Sequence, residues 1–570
     1  MAATTGGLRG TVRDAATGEP VGLATITIPE LKRGASTDAQ GNYFIINLPP
    51  GKYTVRVALL GYIPQVREGV EISADFNTTI DFSVTSTVLK DVAAVEVRGE
   101  RPLIQPDVTT TTKFIDGEEI KNQPLRGYQD AVAQQSGVVN FKQNIDTEAQ
   151  NNNTLIIRGG RPNEVAYYVD GFSQQDPLTG VSTTAINTDA ISEVVVQAGG
   201  FNAEYGRINS GVINVVTREG AERYFGSIEG VTDNLSGDWN NTSAYDNNIY
   251  AISVGGPLTP SIKNVTFYLS GERRYNGDRS PSAITDEIED PSQPDPWEDG
   301  VLPVNSTSVW SGMGKLAWKP SPLQTLRLGG TINSENWRQY TNAYRFNLDH
   351  SPRYEDKNWS LYSNWNHSLN ERSYYELKAN IFTTERTRGD GLYFEDLESY
   401  ARDSNPTYDT NETIFWYGDE GPRGAHVFDD FLKRNSSYWG VAANYANQLS
   451  KSFQLKAGGD FQRHSLRYYN HYFPTELYEP ANGVFDLDEP YTDANGNGRY
   501  DVGETFTDTN IRNSQDVDRY GYDALGNELD GGDLFTDVPD SDGNLNGVYD
   551  VGEPFQDVNG NGVYDNPLDT

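Results

Sequence analysis

Cysteine is absent from this 570-residue chain. That excludes disulfides, thiolate zinc sites, iron–sulfur clusters and a cysteine nucleophile. Histidine is scarce, with five in all, and none stands in H-E-x-x-H or another zinc spacing. Positive charge is in deficit: 45 Lys and Arg face 81 Asp and Glu, for a formal charge of −36. A nucleic-acid partner is thereby excluded, because phosphate neutralisation needs a basic face. No run of roughly 18 apolar residues exists, so there is no transmembrane helix. A membrane β-barrel stays open, since its strands alternate and never build such a run. The opening Met1-Ala-Ala-Thr carries no charged-then-apolar signal; either a signal peptide has been removed or the chain is cytosolic. No nucleophile elbow, phosphate loop or triad spacing occurs, so no enzyme is expected.

What is present falls into stretches of different texture. Residues 1–86 read as short strands with turn chemistry every 8–12 residues, the pattern of a small β-sandwich. Within them, Asp38-Ala-Gln-Gly41-Asn-Tyr43 is followed by Leu48-Pro49-Pro50-Gly51-Lys-Tyr53. This pair of motifs resembles the carboxypeptidase-regulatory-like domain, which implies a transthyretin-type sandwich with a carbohydrate-binding-like fold. The metallopeptidase ligands are absent, which makes the domain a structural accessory or a ligand-binding module.

Residues 103–220 carry four ordered motifs. Thr154-Leu-Ile-Ile157-Arg158-Gly159-Gly160 leads to Tyr168-Val169-Asp170-Gly171; Gly199-Gly200-Phe201-Asn-Ala-Glu204-Tyr205-Gly206-Arg207 leads to Ser210-Gly211-Val212-Ile213-Asn214. Asp170-Gly171 is a tight hairpin signal, and Gly200 and Gly206 suit turns and close packing. Leu125 to Val138 suits a short amphipathic helix. Together these motifs resemble the plug domain of TonB-dependent outer-membrane receptors. The resemblance assigns Arg158 and Arg207 to pairing with barrel carboxylates, with local turn stabilisation as the other reading.

The linker 87–102 holds Asp91-Val92-Ala93-Ala94-Val95-Glu96-Val97. In the resembled family this position carries the TonB box. Its physical requirement is an unpaired strand able to add to a partner's sheet edge; the valines supply β-propensity, and Asp91 and Glu96 keep the segment solvated. An ordinary linker strand is the alternative.

Residues 221–470 read as nine long alternating strands. Tyr375, Leu377, Ala379 and Ile381 alternate with Glu376, Lys378 and Asn380. Alternation by itself also fits a soluble sandwich. The strands, however, run to about ten residues or more, against about five or six in soluble sheets. Short connections (Gly256 to Lys263, Lys319 to Pro322, Asn370 to Arg372, Ser450-Lys451) take turns with long ones (Tyr275 to Ser306, Asn333 to Asp356, Gly389 to Ser436), as in outer-membrane barrels. Trp310, Trp318, Trp359, Trp365, Trp439 and Tyr445 suit interfacial girdles. The family's barrel has about 22 strands, so the sequence reads as the front part of a receptor.

Residues 471–570 hold 23 acidic and three basic side chains. Asp493, Asn495, Asn497, Arg499, Asp501 and Glu504 fit the calcium-loop pattern D-x-N-x-N-G-x₅-E. Asp542, Asn544, Asn546, Val548, Asp550 and Glu553 fit it again. Asp557, Asn559, Asn561, Val563 and Asp565 repeat its first nine positions, with Leu568 in place of the final Glu. Oxygen ligands and a bidentate Glu suit Ca2+, and a spacing of 15 residues from Asp542 to Asp557 leaves no room for flanking helices. An acidic, turn-rich loop is the alternative.

The expected fold is therefore mainly β: an N-terminal sandwich, an α+β plug, a partial antiparallel transmembrane barrel and calcium-loop repeats. The resemblance implies an active transporter of a siderophore, glycan or peptide-like ligand. It implies TonB with ExbB and ExbD as partners, a surface lipoprotein as a further one, and the outer membrane of a Gram-negative bacterium as location, with a periplasmic N-terminal domain and extracellular loops. The rival reading is a secreted or surface calcium-binding adhesion protein built from β-modules.

Overall fold

The computed structural model describes residues 4–87, 95–98, 111–141, 154–182, 184–201, 205–206, 208–234, 244–278, 302–341, 344, 348–400, 428, 430–450, 453–472, 534–535 and 555–556. Two compact units result. One is built from Met1–Gln339, Tyr354–Thr387 and Lys433–Tyr469; the other from Tyr340–Arg353, Arg388–Leu432 and Asn470–Thr570.

The sandwich opens the first unit. Its strands are β1 (Gly6–Asp14), β2 (Thr25–Ile28), β3 (Arg33–Ser36), β4 (Asn42–Leu48), β5 (Gly51–Ala58), β6 (Gln65–Ile72), β7 (Asn77–Thr79) and β8 (Phe82–Val84). One sheet runs β4-β1-β7 with β8 also on β1; the other runs β3-β2-β5-β6 and then takes β9 (Val95–Arg98). Inward positions of both sheets, among them Leu8, Val12, Ile26, Tyr43, Ile45, Val55, Val57 and Phe82, form one apolar core. The Asp38 motif is the β3–β4 turn. Its carboxylate accepts from the Gln40 and Asn42 backbone amides, at 3.0 and 2.8 Å. Gly41 sits at φ +76°, where a Cβ would stand 2.5 Å from the Val12 carbonyl, so only glycine closes this turn without strain.

β9 departs from expectation. The sequence calls for an unpaired strand at 91–97, yet Val95–Arg98 runs parallel to β6 in the register Gln65↔Val95 to Glu68↔Arg98. The physical reason is the open edge of β6: its outward N–H and C=O groups find partners in the first extended segment that follows. Asp91, Val92, Ala93 and Ala94 lie outside the described residues.

The plug follows: β10 (Thr111–Asp116), α1 (Gly117–Lys121), α2 (Gly127–Ala133), β11 (Val138–Phe141), β12 (Thr154–Ile157), β13 (Val165–Val169), β14 (Phe172–Ser173), β15 (Ile191–Ala198) and β16 (Gly211–Thr217). Its main sheet is ordered β10-β15-β16-β13-β14, and β11-β12 form a separate pair. Ile120, Tyr128, Val132, Leu155, Ile157, Val194 and Ile213 fill its core. The expected helix over Leu125–Val138 is the shorter α2. It ends at Ala133, and Gly137, at φ +81°, lies in the turn that follows, after which Val138 pairs with Ile157. α1 was not anticipated; Asp116 caps it by accepting from the Glu118 amide at 2.9 Å.

Nine antiparallel strands then pair in chain order: β17 (Phe225–Thr232), β18 (Asn248–Thr259), β19 (Ile262–Asn276), β20 (Thr307–Ser321), β21 (Gln324–Arg338), β22 (Arg353–Ser368), β23 (Ser373–Gly389), β24 (Asp430–Ser450) and β25 (Phe453–Tyr472). Among the described residues β17 and β25 are its edges. The tight turns fall where the sequence put them. Two long connections are shorter than expected, because β21 runs on to Arg338 and β24 begins at Asp430.

The direction of the alternation separates the two sheet readings. Leu328, Ile332, Leu377 and Ile381 are exposed, whereas Arg327, Thr331, Glu376, Lys378 and Asn380 between them are buried. Trp310, Trp318, Trp359, Trp365, Trp439 and Tyr445 are exposed as well. A sheet with apolar residues outward and polar residues inward is arranged for lipid, and the reverse of a water-soluble sandwich. No helix among the described residues is long and apolar enough to cross a membrane.

In the second unit, Asp390 is fully buried and organises its surroundings. It accepts from His350 Nδ1 at 2.9 Å and from the amides of Leu392, Tyr393 and Phe428 at 2.9 to 3.0 Å. The Tyr400 hydroxyl accepts from the Asp390 amide and donates to the Phe394 carbonyl.

Candidate functional site

The plug meets the strand sheet through buried charge. Asp170 and Gly171 join β13 to β14 with φ of +50° and +82°, the two positive values of a type I′ turn. Asp170 Oδ1 accepts from the Thr217 amide and from Lys315 Nζ of β20, both at 2.9 Å. Its Oδ2 accepts from the Thr217 hydroxyl at 2.6 Å and the Tyr362 hydroxyl of β22 at 2.5 Å. The Lys315 ammonium also donates to the Thr217 carbonyl at 2.9 Å. Every member is buried, as an ion pair away from water requires.

The Tyr362 ring reaches this carboxylate because Gly329 on the neighbouring strand gives it room. A Cβ at Gly329 would lie 2.4 Å from the ring. The same ring stacks on Phe172 of the plug, centroids 4.7 Å apart.

A second pair lies further along the plug. Asp176 meets Arg434 of β24 at 3.0 Å, with both side chains at most 3% exposed. Nearby, the Tyr438 hydroxyl donates to the Ser173 carbonyl at 2.6 Å and accepts from Asn380 at 2.9 Å. Where the plug runs into the sheet, Glu219 pairs with Arg327 and Arg126 pairs with Glu229 at 3.0 Å. Burial alone would raise the Glu219 carboxyl; the charges of Arg327, Lys315 and Lys319 outweigh it and hold the group down at about 2.

The polarity of these contacts corrects the sequence expectation. Arg158 does not pair with a barrel carboxylate. It occupies a left-handed turn at φ +51°, and its guanidinium donates to the Thr111 hydroxyl of the plug's own β10 at 2.6 Å. In the two most buried pairs, Asp170–Lys315 and Asp176–Arg434, the carboxylate belongs to the plug and the cation to the sheet, while Arg126–Glu229 has the opposite polarity. Long Lys and Arg stems can carry a charge inward from a strand, whereas the short Asp side chains sit on rigid turns.

Other plug-motif residues have local roles. Gly159 and Gly200 take φ of +72° and +67°. Gly160 packs against Ser210, where a Cβ would stand 2.4 Å from that side chain. Tyr205 donates to Asp75 of the sandwich at 3.2 Å. Gly206 has no packing role among the described residues, where a Cβ would meet nothing within 4 Å. Glu204 and Arg207 lie outside the described residues, as do the calcium-loop positions from Asp493 to Asp565. Among the described residues no cluster of three or more His, Asp or Glu suited to a metal occurs.

The sandwich also touches plug and sheet. Lys52 meets Asp116 at 2.5 Å, Asn47 donates to Ser368 at 2.9 Å and Thr4 donates to Glu376 at 3.1 Å. Between the three parts lies a cavity of about 870 Å³, lined among others by Tyr53, Asp116, Glu219 and Lys319. Three polar atoms of its lining, Asn47 Oδ1, Thr266 Oγ1 and Arg327 Nη1, are buried with no hydrogen-bond partner among the described residues.

Sequence reasoning missed Asp176, Lys315, Tyr362 and Arg434. A signal existed for Lys315: it sits at an inward position of β20, where a charge needs a partner from another element.

Comparison with known proteins follows the same order along the chain. The family model "Carboxypeptidase regulatory-like domain" matches residues 7–85, and "TonB-dependent Receptor Plug Domain" matches residues 105–213. The TonB-dependent transporter Oar of Myxococcus xanthus is 33% identical over 230 residues, 38% of this chain and 21% of that protein. Carboxypeptidase D of Anas platyrhynchos is 35% identical over 83 residues, 15% of this chain and 6% of that protein. The chain therefore spans about a fifth or less of the curated relatives it matches. Among solved structures, the outer membrane transporter YddB from Escherichia coli is similar at 14% identity and a TM-score of 0.43, over 62% of this chain and 48% of that one. The FrpB iron transporter from Neisseria meningitidis is similar at 12% identity and a TM-score of 0.45, over 63% and 49%. The carboxypeptidase likeness is confined to the regulatory-like domain and brings no catalysis with it. By its plug-domain match, the regulatory-like match before it and its transporter relative, the chain is similar to TonB-dependent receptors.

Proposed function

We propose that the protein is an active transporter of the outer membrane, in which TonB, energised through ExbB and ExbD, pulls on residues 91–97 and frees the plug from the strand sheet. One observation carries the reading: a plug held by buried ion pairs against a sheet whose outward face is apolar. Such pairs keep the plug in place at rest, and a pull that displaces β13–β14 breaks Asp170–Lys315 and Asp176–Arg434 together. The soluble adhesion reading is not favoured, since it leaves that outward apolar face without a solvent to suit it.

The ligand is a siderophore, glycan or peptide-like molecule captured from outside, alone or with a surface lipoprotein. The acidic loops take up Ca2+ there through Asp493, Asp501, Glu504, Asp542, Asp550 and Glu553, with outer calcium high enough for weak sites. The sandwich faces the periplasm and the long loops the exterior.

The test is uptake against binding. Cells carrying Val95→Pro, which removes a strand donor in the docking segment, are compared with wild type on panels of ferric siderophores, oligosaccharides and peptides. The expected result is surface binding of one class retained with its accumulation lost. Unchanged accumulation in the variant overturns the docking assignment. If no class accumulates in wild-type cells beyond cells lacking the protein, transport itself is overturned.

A further inference from the structure

The outermost strand of the sandwich's larger sheet takes in Val95, Glu96 and Val97, the last three residues of the segment assigned to TonB. β9 takes up Val95–Arg98, pairs in parallel with β6 over four residues and, among the described residues, pairs with no other strand. The sandwich is itself anchored at several points: Lys52 on Asp116 of the plug, Asn47 on Ser368 and Thr4 on Glu376 of the sheet, and Asp75 with Lys456 of β25 at 2.9 Å.

This arrangement has a mechanical consequence. The docking segment lies between sandwich and plug in the chain. While β9 is held on β6, a pull on it loads the β6 ladder and then the sandwich's anchors. The load reaches the plug along the chain only after β9 has left β6. We propose that the edge of β6 is a strand-accepting surface that clasps the docking segment, and that TonB and β6 compete for the same strand. The proposal rests on the docking assignment above. The clasp is short, and each backbone hydrogen bond contributes modestly in net terms, so it is strong enough to tax binding and weak enough to be displaced. A partner that must first free its strand from a mostly occupied clasp binds with an affinity lowered by the fraction of time the strand is free.

The absence of cysteine makes the test clean. The register sets Glu68 beside Arg98, and neighbouring strands stand about 4.8 Å apart, within disulfide reach. Arg98 lies just outside the docking segment. The full chain carrying Glu68→Cys and Arg98→Cys is titrated with purified TonB C-terminal domain, oxidised and reduced, beside the wild-type chain and a peptide of residues 89–98.

The expected results are a disulfide that forms under mild oxidant, TonB binding weakened at least about tenfold when oxidised, and recovery to wild-type affinity on reduction. The free peptide should bind more tightly than the wild-type chain. A disulfide that fails to form overturns the clasp. Equal TonB affinity of oxidised and reduced chains also overturns it, because TonB then adds to the open edge of β9 without displacing β6. A peptide that does not bind TonB at all is a different outcome: it overturns the docking assignment.

Discussion

Asp170 of the plug and Lys315 of the strand sheet meet at 2.9 Å, with side chains 8% and 2% exposed. At that burial neither charge is tolerable alone. The carboxylate is held by two plug donors, Thr217 N and Oγ1, and two sheet donors, Lys315 and Tyr362. Losing the sheet would leave it half-satisfied. The pair therefore does more to fix where the plug sits than to hold the plug's own fold together.

Breaking this pair from one side should be costly. Asp170→Asn leaves the Lys315 ammonium buried without its counter-charge, and removing one partner of a buried pair typically costs about 3–5 kcal/mol. Asp170→Asn combined with Lys315→Met removes both charges and should recover part of that loss. Thermal unfolding of the two single variants and the double variant in detergent gives the coupling energy. Simple additivity of the two losses would show that the pair does not act as a unit.

Gly329 should matter through Tyr362 rather than through its own strand. Gly329→Val places branched carbon where the ring now lies. The ring must move, which breaks its hydrogen bond to Asp170 and its stack on Phe172. The expected cost is about 1–3 kcal/mol, as for other overpacked sites. Hydrogen exchange should quicken in β14 and β16 and stay slow in β20 and β21. Equal quickening in the sheet would mean that the glycine serves the sheet itself.

The acidic loops should bind calcium through their last ligand. A bidentate carboxylate at position twelve is the strongest single contribution to such a loop. Wild-type protein titrated with Ca2+ by calorimetry should show sites of at least millimolar affinity, and Glu504→Gln with Glu553→Gln should abolish the tighter ones. An unchanged titration in that double variant would remove calcium from the account.

What the sequence made legible was governed by local chemistry. Asp170-Gly171 announced its turn, because both residues tolerate positive φ. Leu377 and Ile381 announced one face of β23. Which face points outward was not legible, because alternation has the same period either way; only the burial of Glu376 and Lys378 decides it. Arg158 misled because a plug arginine next to paired glycines looks like a long-range anchor, while its backbone conformation turns it back onto Thr111. Partners such as Asp176 and Arg434, 258 positions apart in the chain, share no local pattern at all. Their pairing depends on how the plug is set against the sheet, which no window of sequence contains.

Acid should loosen the junction between plug and sheet through Glu219. Its carboxyl is held at about 2, against an ordinary 4.5, by Arg327, Lys315 and Lys319 acting against the opposing effect of burial. The sign follows from linkage. A carboxyl depressed in the folded state contributes stability that is fully present above its unfolded value and is lost as pH falls through the folded one. The window therefore runs from about 4.5 down to about 2. Glu219 is about a quarter exposed, so about 3 kcal/mol is a ceiling for the contribution. Unfolding midpoints of wild type and Glu219→Gln at pH 7, 4 and 3 check this. Wild type should be the more stable at pH 7, and the difference should shrink steadily toward pH 3. A gap between the two proteins that does not narrow with acid would mean that Glu219 acts there by shape and hydrogen bonding, and not by charge.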